Sequence, residues 1–149
     1  MTEEQYITAL KNNPHGIRNI PNPTEGMQLV CVEQNGMLLQ YIKNPTNRVI
    51  ETALAQSPRA IQYVDNPSDE LLISLVKQDW AVLEYIQHPS DEVVRIALNQ
   101  SGWAIRYITN PSEELQLRAV ETQYDALQYI AIPSERVRMA AVKSNYLAL

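Results

Sequence analysis

Few side chains in this 149-residue sequence have the types and spacing that enzyme chemistry requires. Histidine occurs only as His15 and His88 and cysteine only as Cys31, so no two ligands have the spacing of a zinc motif. The four glycines form no phosphate-binding loop. Acidic residues recur just after a repeated proline, where they would stabilise helix N-termini. The sequence therefore predicts a non-enzymatic protein without a metal or other cofactor.

The polar and aromatic side chains that could bind a partner are positioned by an internal repeat. Proline occurs every 22 residues, at Pro23, Pro45, Pro67, Pro89, Pro111 and Pro133. Ser or Thr follows each of these prolines, and Asn precedes four of the six. Counting back places the first copy at Met1, so seven copies begin near residues 1, 23, 45, 67, 89, 111 and 133. Because so short a unit cannot bury an apolar face alone, the copies must stack.

Each copy predicts one α-helix followed by one shorter helix. Asn is expected to cap the first helix with Pro at its first position, and the following Ser or Thr is the alternative cap. Apolar residues then recur on one helix face, as at Val93, Ala97 and Leu98. A second apolar segment, such as residues 104–108, predicts about two turns that are partly 3₁₀ helix. The predicted fold is all-α, a right-handed α-solenoid of about seven two-helix repeats that forms one domain over residues 1–149.

Two rows of side chains on the shorter helices could bind a small molecule. Five copies place a tyrosine four residues before the next proline, and the residue before each tyrosine is polar although its neighbours are apolar. Tyrosine rings could stack on a base, with Gln as hydrogen-bond partner and Arg as counter-charge; packing between copies and a solvated face are the alternatives. The predicted ligand-binding residues are Gln62, Tyr63, Tyr85, Arg106, Tyr107 and Gln128.

A third row lies in the turn between the two helices of each copy. It carries two tryptophans, a tyrosine and an arginine, which is the composition of a protein interface hot spot. The alternative is that each ring covers the end of its own helix pair. The predicted partner-binding residues are Arg59, Trp80, Trp103 and Tyr124.

The repeat unit resembles the leucine-rich-repeat variant, whose short copies alternate an α-helix with a 3₁₀ helix. Residues 110–115 (NPSEEL) and 126–130 (ALQYI) are also similar to short helical repeats of bacteriophage and giant-virus proteins of unassigned function. The resemblance covers the whole chain and implies, as one version of ligand capture, a phage sponge for a host immune signalling nucleotide. The founding member of the variant family holds an iron–sulfur cluster on several cysteines. With Cys31 alone, that feature does not carry over, and we expect a small buried thiol.

Charge and hydropathy restrict the classes of partner. The 12 basic and 17 acidic residues give a net charge of −5, which argues against binding to a DNA or RNA duplex. No segment approaches the roughly 18 to 20 apolar residues of a membrane span, and the N-terminal residues lack the pattern of a signal peptide. We expect no membrane partner and a cytoplasmic location, which for a phage protein is the host cytoplasm. The apolar residues 146–149 also predict a homo-oligomer formed through uncapped repeat ends.

Two functions follow from these patterns. The first is capture of a small anionic, nucleotide-like ligand in a groove. The alternative is a protein–protein adaptor or inhibitor that binds a protein partner through the aromatic rim.

Overall fold

The computed structural model describes residues 1–148, with side-chain burial for residues 1–145, and this part of the chain is all-α without a β-strand. Seven α-helices alternate with six 3₁₀ helices. The α-helices are α1 (Glu3–Asn12), α2 (Glu25–Gln34), α3 (Asn47–Gln56), α4 (Asp69–Gln78), α5 (Asp91–Gln100), α6 (Glu113–Thr122) and α7 (Glu135–Ala148). The 3₁₀ helices are η1 (Pro14–Asn19), η2 (Gly36–Tyr41), η3 (Pro58–Tyr63), η4 (Trp80–Tyr85), η5 (Gly102–Tyr107) and η6 (Tyr124–Tyr129).

The helices form two compact units, Met1–Asn66 and Pro67–Leu149. In the first unit α2 packs between α1 and α3, and η2 lies between η1 and η3. In the second unit α4, α5, α6 and α7 pack in chain order, and η5 lies between η4 and η6. The predicted packing of each copy on its neighbour is therefore confirmed within each unit. Residues 146–149, through which the chain was predicted to self-associate, lie outside the range for which side chains are described.

The cap of α2 to α7 is the Ser or Thr that follows the repeated proline, not the predicted Asn, and the cap of α1 is Thr2, which follows Met1. The hydroxyl oxygen of each cap accepts a hydrogen bond from the backbone N–H three residues later, at 3.2 to 3.3 Å. The residue before five of the six repeated prolines instead has φ between +48° and +52°, in the left-handed region that Asn tolerates better than most residues. The residues in this conformation are Asn22, Asn44, Asn66, His88 and Asn110. Asn therefore turns the chain into the next copy, and His88 takes the same turning role.

The second helix of each copy is a six-residue 3₁₀ helix, longer than most such helices. Residues at the start of these 3₁₀ helices favour them. Pro14 and Pro58 begin two of the helices, at a position where a backbone N–H would have no partner within the helix. Asn35, Asp79 and Ser101 cap three others, each accepting from the backbone N–H two residues later. The prediction of a short second helix of two turns is confirmed.

The core consists of the apolar stripe of each α-helix and the inner side of each 3₁₀ helix. Val93, Ala97 and Leu98 are fully buried, as their spacing predicts. In α4 the stripe is shifted, because Leu72 is buried whereas Leu71 is only half-buried. Consecutive residues lie about 100° apart on a helix, so a stripe of ordinary width can include either one.

Polar contacts between successive copies add to the apolar packing. Gln56 Oε1 accepts from the backbone N–H of Gly36 at 2.6 Å, and Ser101 Oγ donates to Gln123 Oε1 at 2.6 Å. Three exposed ion pairs also join neighbouring copies, Glu25–Arg48, Arg95–Glu114 and Glu113–Arg136. Each exposed pair is worth at most about 1 kcal/mol, so burial of the apolar stripes dominates stability. Within residues 1–148, no helix has the length and apolar character needed to cross a lipid bilayer.

Cys31 is a buried thiol in the core of the first unit, as expected. Burial raises its pKa from 9.0 to about 11, because the thiolate is poorly solvated there. The unfolded chain therefore releases this proton at lower pH than the folded chain does. We expect the free energy of unfolding to fall, through this group, as the pH rises from 9 to about 11.

The control is Cys31→Ala, because alanine occupies the equivalent position in five other copies, at Ala9, Ala53, Ala97, Ala119 and Ala141. Urea titrations of both proteins at pH 8 and pH 10.5 measure the difference. The parent chain should lose more stability than the variant over this interval, and parallel losses would contradict a buried neutral thiol.

Candidate binding surface

The second unit exposes a cluster of one arginine and three aromatic rings, which we call the aromatic–arginine surface: Trp80, Arg106, Tyr107 and Tyr129. The guanidinium carbon of Arg106 lies 5.3 Å from the ring centroid of Tyr107 and 5.0 Å from that of Tyr129. Both distances are within the range of cation–π attraction. Each such contact contributes about 0.5 to 1 kcal/mol at an exposed site, so the two rings favour this position of the Arg106 side chain.

Neighbouring 3₁₀ helices supply the members of this surface. Trp80 begins η4, Arg106 and Tyr107 end η5, and Tyr129 ends η6. The rings of Trp80 and Tyr107 are 6.3 Å apart between centroids and inclined by 35°, so the contact joins two successive copies. Because the three 3₁₀ helices pack side by side, the same sequence position in each copy falls on one continuous face.

Two further aromatic residues lie on the same 3₁₀ helices and are exposed. Trp103 is 38% exposed and Tyr124 is 45% exposed. The indole N–H of Trp103 donates to Asp125 Oδ1 at 2.8 Å, which links η5 to η6. The Ser101 hydroxyl oxygen accepts from the backbone N–H of Trp103 at 3.3 Å. Trp103 is therefore anchored at both its backbone and its ring while part of its surface stays accessible.

Arg106 has aromatic contacts, whereas three other arginines of the second unit have polar partners. Arg95 and Arg136 form ion pairs with Glu114 and Glu113, and Arg118 donates to Asn99 Oδ1 at 3.0 Å. Among the described residues Arg106 contacts aromatic rings and no carboxylate. Its hydrogen-bond donors are available to an acceptor on a bound molecule.

The structure brings together residues that the sequence assigned to two separate sites. Trp80 was predicted to contact a protein partner and Tyr107 to contact a small ligand, yet their rings meet. Trp80 therefore packs on Tyr107 of the next copy. Arg106 was predicted as the counter-charge for a bound anion, and its guanidinium lies against the Tyr107 ring. Tyr129 was in the tyrosine row but was not selected, although it provides the second ring against Arg106.

The remaining predicted residues divide between the units. Arg59, Gln62 and Tyr63 lie on η3 of the first unit, whereas Tyr85 and Gln128 lie on η4 and η6 of the second. Gln62 and Gln128 are exposed, and Tyr63 and Tyr85 are half-buried. One of the two amide N–H groups of Gln62 donates to the Arg59 carbonyl at 3.1 Å, within the same 3₁₀ helix.

Clefts open where one copy leads into the next. A cleft of about 680 Å³ in the first unit is lined by Lys43, Gln62, Tyr63 and Asp65 among others. A cleft of about 600 Å³ in the second unit is lined by His88, Asp91, Tyr107 and Thr109 among others. Both volumes are of the size that small-molecule sites have. Within the described part of the chain, no three His, Cys, Asp or Glu side chains cluster as metal ligands would.

Comparisons with models of known protein families, with curated proteins and with solved structures find no match to this chain. The aromatic–arginine surface offers a cation in contact with two rings, flat apolar rings and exposed polar edges over three neighbouring 3₁₀ helices.

Proposed function

We propose that this chain is a non-enzymatic adaptor or inhibitor that binds a protein partner through the aromatic–arginine surface. The observation that carries this proposal is the position of Arg106, which lies over the rings of Tyr107 and Tyr129 and has no carboxylate partner among the described residues. Trp, Tyr and Arg are the residues that most often dominate the binding energy of protein interfaces. An arginine already fixed by its neighbours loses less conformational entropy on binding than a free one does.

The same contacts make the surface less suited to stacking a nucleotide base. Arg106 lies over Tyr107 and Tyr129, and Trp80 packs against Tyr107, so these rings are already partly covered. A base would have to displace Arg106 before it could use that side of either ring. A protein side chain can instead contact the outer edges of the rings and pair with the guanidinium.

The chemistry of the surface specifies the partner segment. The guanidinium would pair with a carboxylate, and the Trp and Tyr rings would pack against apolar side chains beside it. Exposed Trp103 and Tyr124 would extend the contact along the 3₁₀ helices. The partner is therefore a protein segment that carries Asp or Glu next to large apolar residues.

Selection of peptides from a random displayed library on the immobilised full-length chain tests this proposal. We expect the selected peptides to share an acidic residue flanked by apolar residues, and to lose binding to Arg106→Ala. Peptides without an acidic residue, or peptides that bind Arg106→Ala equally well, would contradict it.

A second candidate is capture of a small, nucleotide-like anion, favoured by the cleft that brings Tyr63 and Gln62 beside Lys43. This version draws on the resemblance to leucine-rich-repeat-variant repeats of phage and giant-virus proteins. The chain would then act in the host cytoplasm as a sponge for an immune signalling nucleotide. Native mass spectrometry of the chain purified from its own cells separates the candidates. A released small anion that is lost with Tyr63→Ala favours capture in this cleft, whereas a co-purifying protein whose retention needs Arg106 favours the adaptor.

A further inference from the structure

The first unit contains a cleft whose charge differs from that of the other clefts described. It has a volume of about 530 Å³ and is lined by Arg18, Gln28, Tyr41, Lys43 and residues 19–23. No Asp or Glu lines it. Each of the three other clefts is lined by at least one carboxylate, namely Asp65, Asp91, or Glu114 with Glu121.

The two cations of this cleft have no partner in the described chain. Neither Arg18 nor Lys43 takes part in an ion pair or a side-chain hydrogen bond there, whereas Arg48 of the same unit pairs with Glu25. Two positive side chains that line one concave surface repel each other and concentrate a positive potential in it. An anion that enters the cleft relieves this repulsion, even though the chain as a whole is acidic.

Another wall of the cleft supplies an aromatic ring. Tyr41 is 40% exposed and makes no ring contact among the described residues, unlike Tyr107 and Tyr129. One of the two amide N–H groups of Gln28 donates to the Pro23 carbonyl at 2.9 Å. The positive charge that would hold an anion therefore comes from Arg18 and Lys43.

We propose that this cleft binds a small organic phosphate that carries a flat ring, with Arg18 and Lys43 on the phosphate and Tyr41 against the ring. The volume is within the range of small-molecule sites. The site lies in the first unit, so it is separate from the aromatic–arginine surface, and either proposal can fail while the other stands.

Isothermal titration calorimetry of the full-length chain with adenosine 5′-monophosphate and with inorganic phosphate tests this site. We expect saturable binding of the nucleotide and binding of phosphate at least tenfold weaker. The double variant Arg18→Gln, Lys43→Gln should weaken nucleotide binding at least tenfold. The matched control, Lys11→Gln with Arg48→Gln, removes the same charge from exposed positions of the same unit and should change it less than twofold.

A pair of tyrosine variants locates the ligand. Tyr41→Ala should weaken nucleotide binding, whereas Tyr6→Ala, on α1 of the same unit and outside the cleft lining, should leave it unchanged. Circular dichroism melting verifies that both variants fold. The proposal is overturned by absent binding, by equal affinity for phosphate and nucleotide, by equal loss in the two charge variants, or by equal loss in the two tyrosine variants.

Discussion

Replacing Arg106 with Ala should weaken the binding of a selected acidic peptide by about 30-fold or more, which corresponds to a hot-spot loss of about 2 kcal/mol. The variant removes the charge that pairs with the peptide carboxylate. It also removes the group that holds the rings of Tyr107 and Tyr129 in their arrangement. Arg106→Lys should recover only part of the affinity, because a lysine ammonium lacks the planar fork that can pair with a carboxylate and stack on rings.

The two tryptophans make this prediction measurable without a label. Trp80 and Trp103 are the only tryptophans of the chain, and both lie on the 3₁₀ helices that carry the surface. Peptide titration followed by their fluorescence gives the affinity of each variant. Arg136→Ala is the control, because Arg136 is an exposed arginine that pairs with Glu113 on the α-helices. Equal affinities for Arg106→Ala and Arg136→Ala would contradict the assignment.

Replacing Gly102 with Ala should destabilise the second unit by about 1 to 3 kcal/mol, the usual cost of overpacking. Gly102 is buried at the start of η5, where an added Cβ would clash with the carbonyl oxygen of Ala119 and lie 3.0 Å from the carbonyl carbon. The clash is with the backbone of the next copy, so α6 would have to move away from η5. Tyr124 occupies the equivalent position in the following copy, which indicates that a displacement of the helices can accommodate a side chain.

Gly16→Ala is the matched control for this prediction. An added Cβ at Gly16 would meet only a methyl group of Leu10 at 3.6 Å, which is an ordinary contact, and no described glycine has a positive φ. This variant should therefore be neutral or more stable by about 0.4 to 1 kcal/mol, because alanine restricts the unfolded chain. Urea denaturation followed by circular dichroism measures both. Equal midpoints for the two variants would contradict the close approach of η5 to α6.

The repeat and its two helices were predictable because each signal is local and recurs in every copy. The proline period marks the start of each copy, and the spacing of Val93, Ala97 and Leu98 identifies a buried helix face. The cap was assigned to the wrong residue because Asn is favoured both as a helix cap and in the left-handed conformation. Only backbone geometry distinguishes these uses, and it shows Asn110 turning the chain while Ser112 caps α6.

The sequence predicted the repeated positions that form the binding surface, but not the contacts between their side chains. Recurrence at the repeat period identified the positions of Trp80, Arg106 and Tyr107, since a stacked array brings equivalent positions onto one face. Whether Trp80 meets Tyr107 of the next copy depends on the inclination and offset between neighbouring 3₁₀ helices. The contact of Arg106 with Tyr129 depends on side-chain rotamers. A repeat period specifies neither the packing of the 3₁₀ helices nor these rotamers, so the sequence did not predict that the two sites are in contact.

Site-specific photo-crosslinking in the cells that produce the chain tests the proposed protein-binding function most directly. A photoreactive phenylalanine derivative would replace exposed Tyr124 beside the aromatic–arginine surface and, as control, exposed Met139 on α7. The adaptor function predicts a discrete crosslinked protein from position 124, none from position 139, and loss of the product when Arg106→Ala is added. No product at position 124, or one that persists without Arg106, would contradict it.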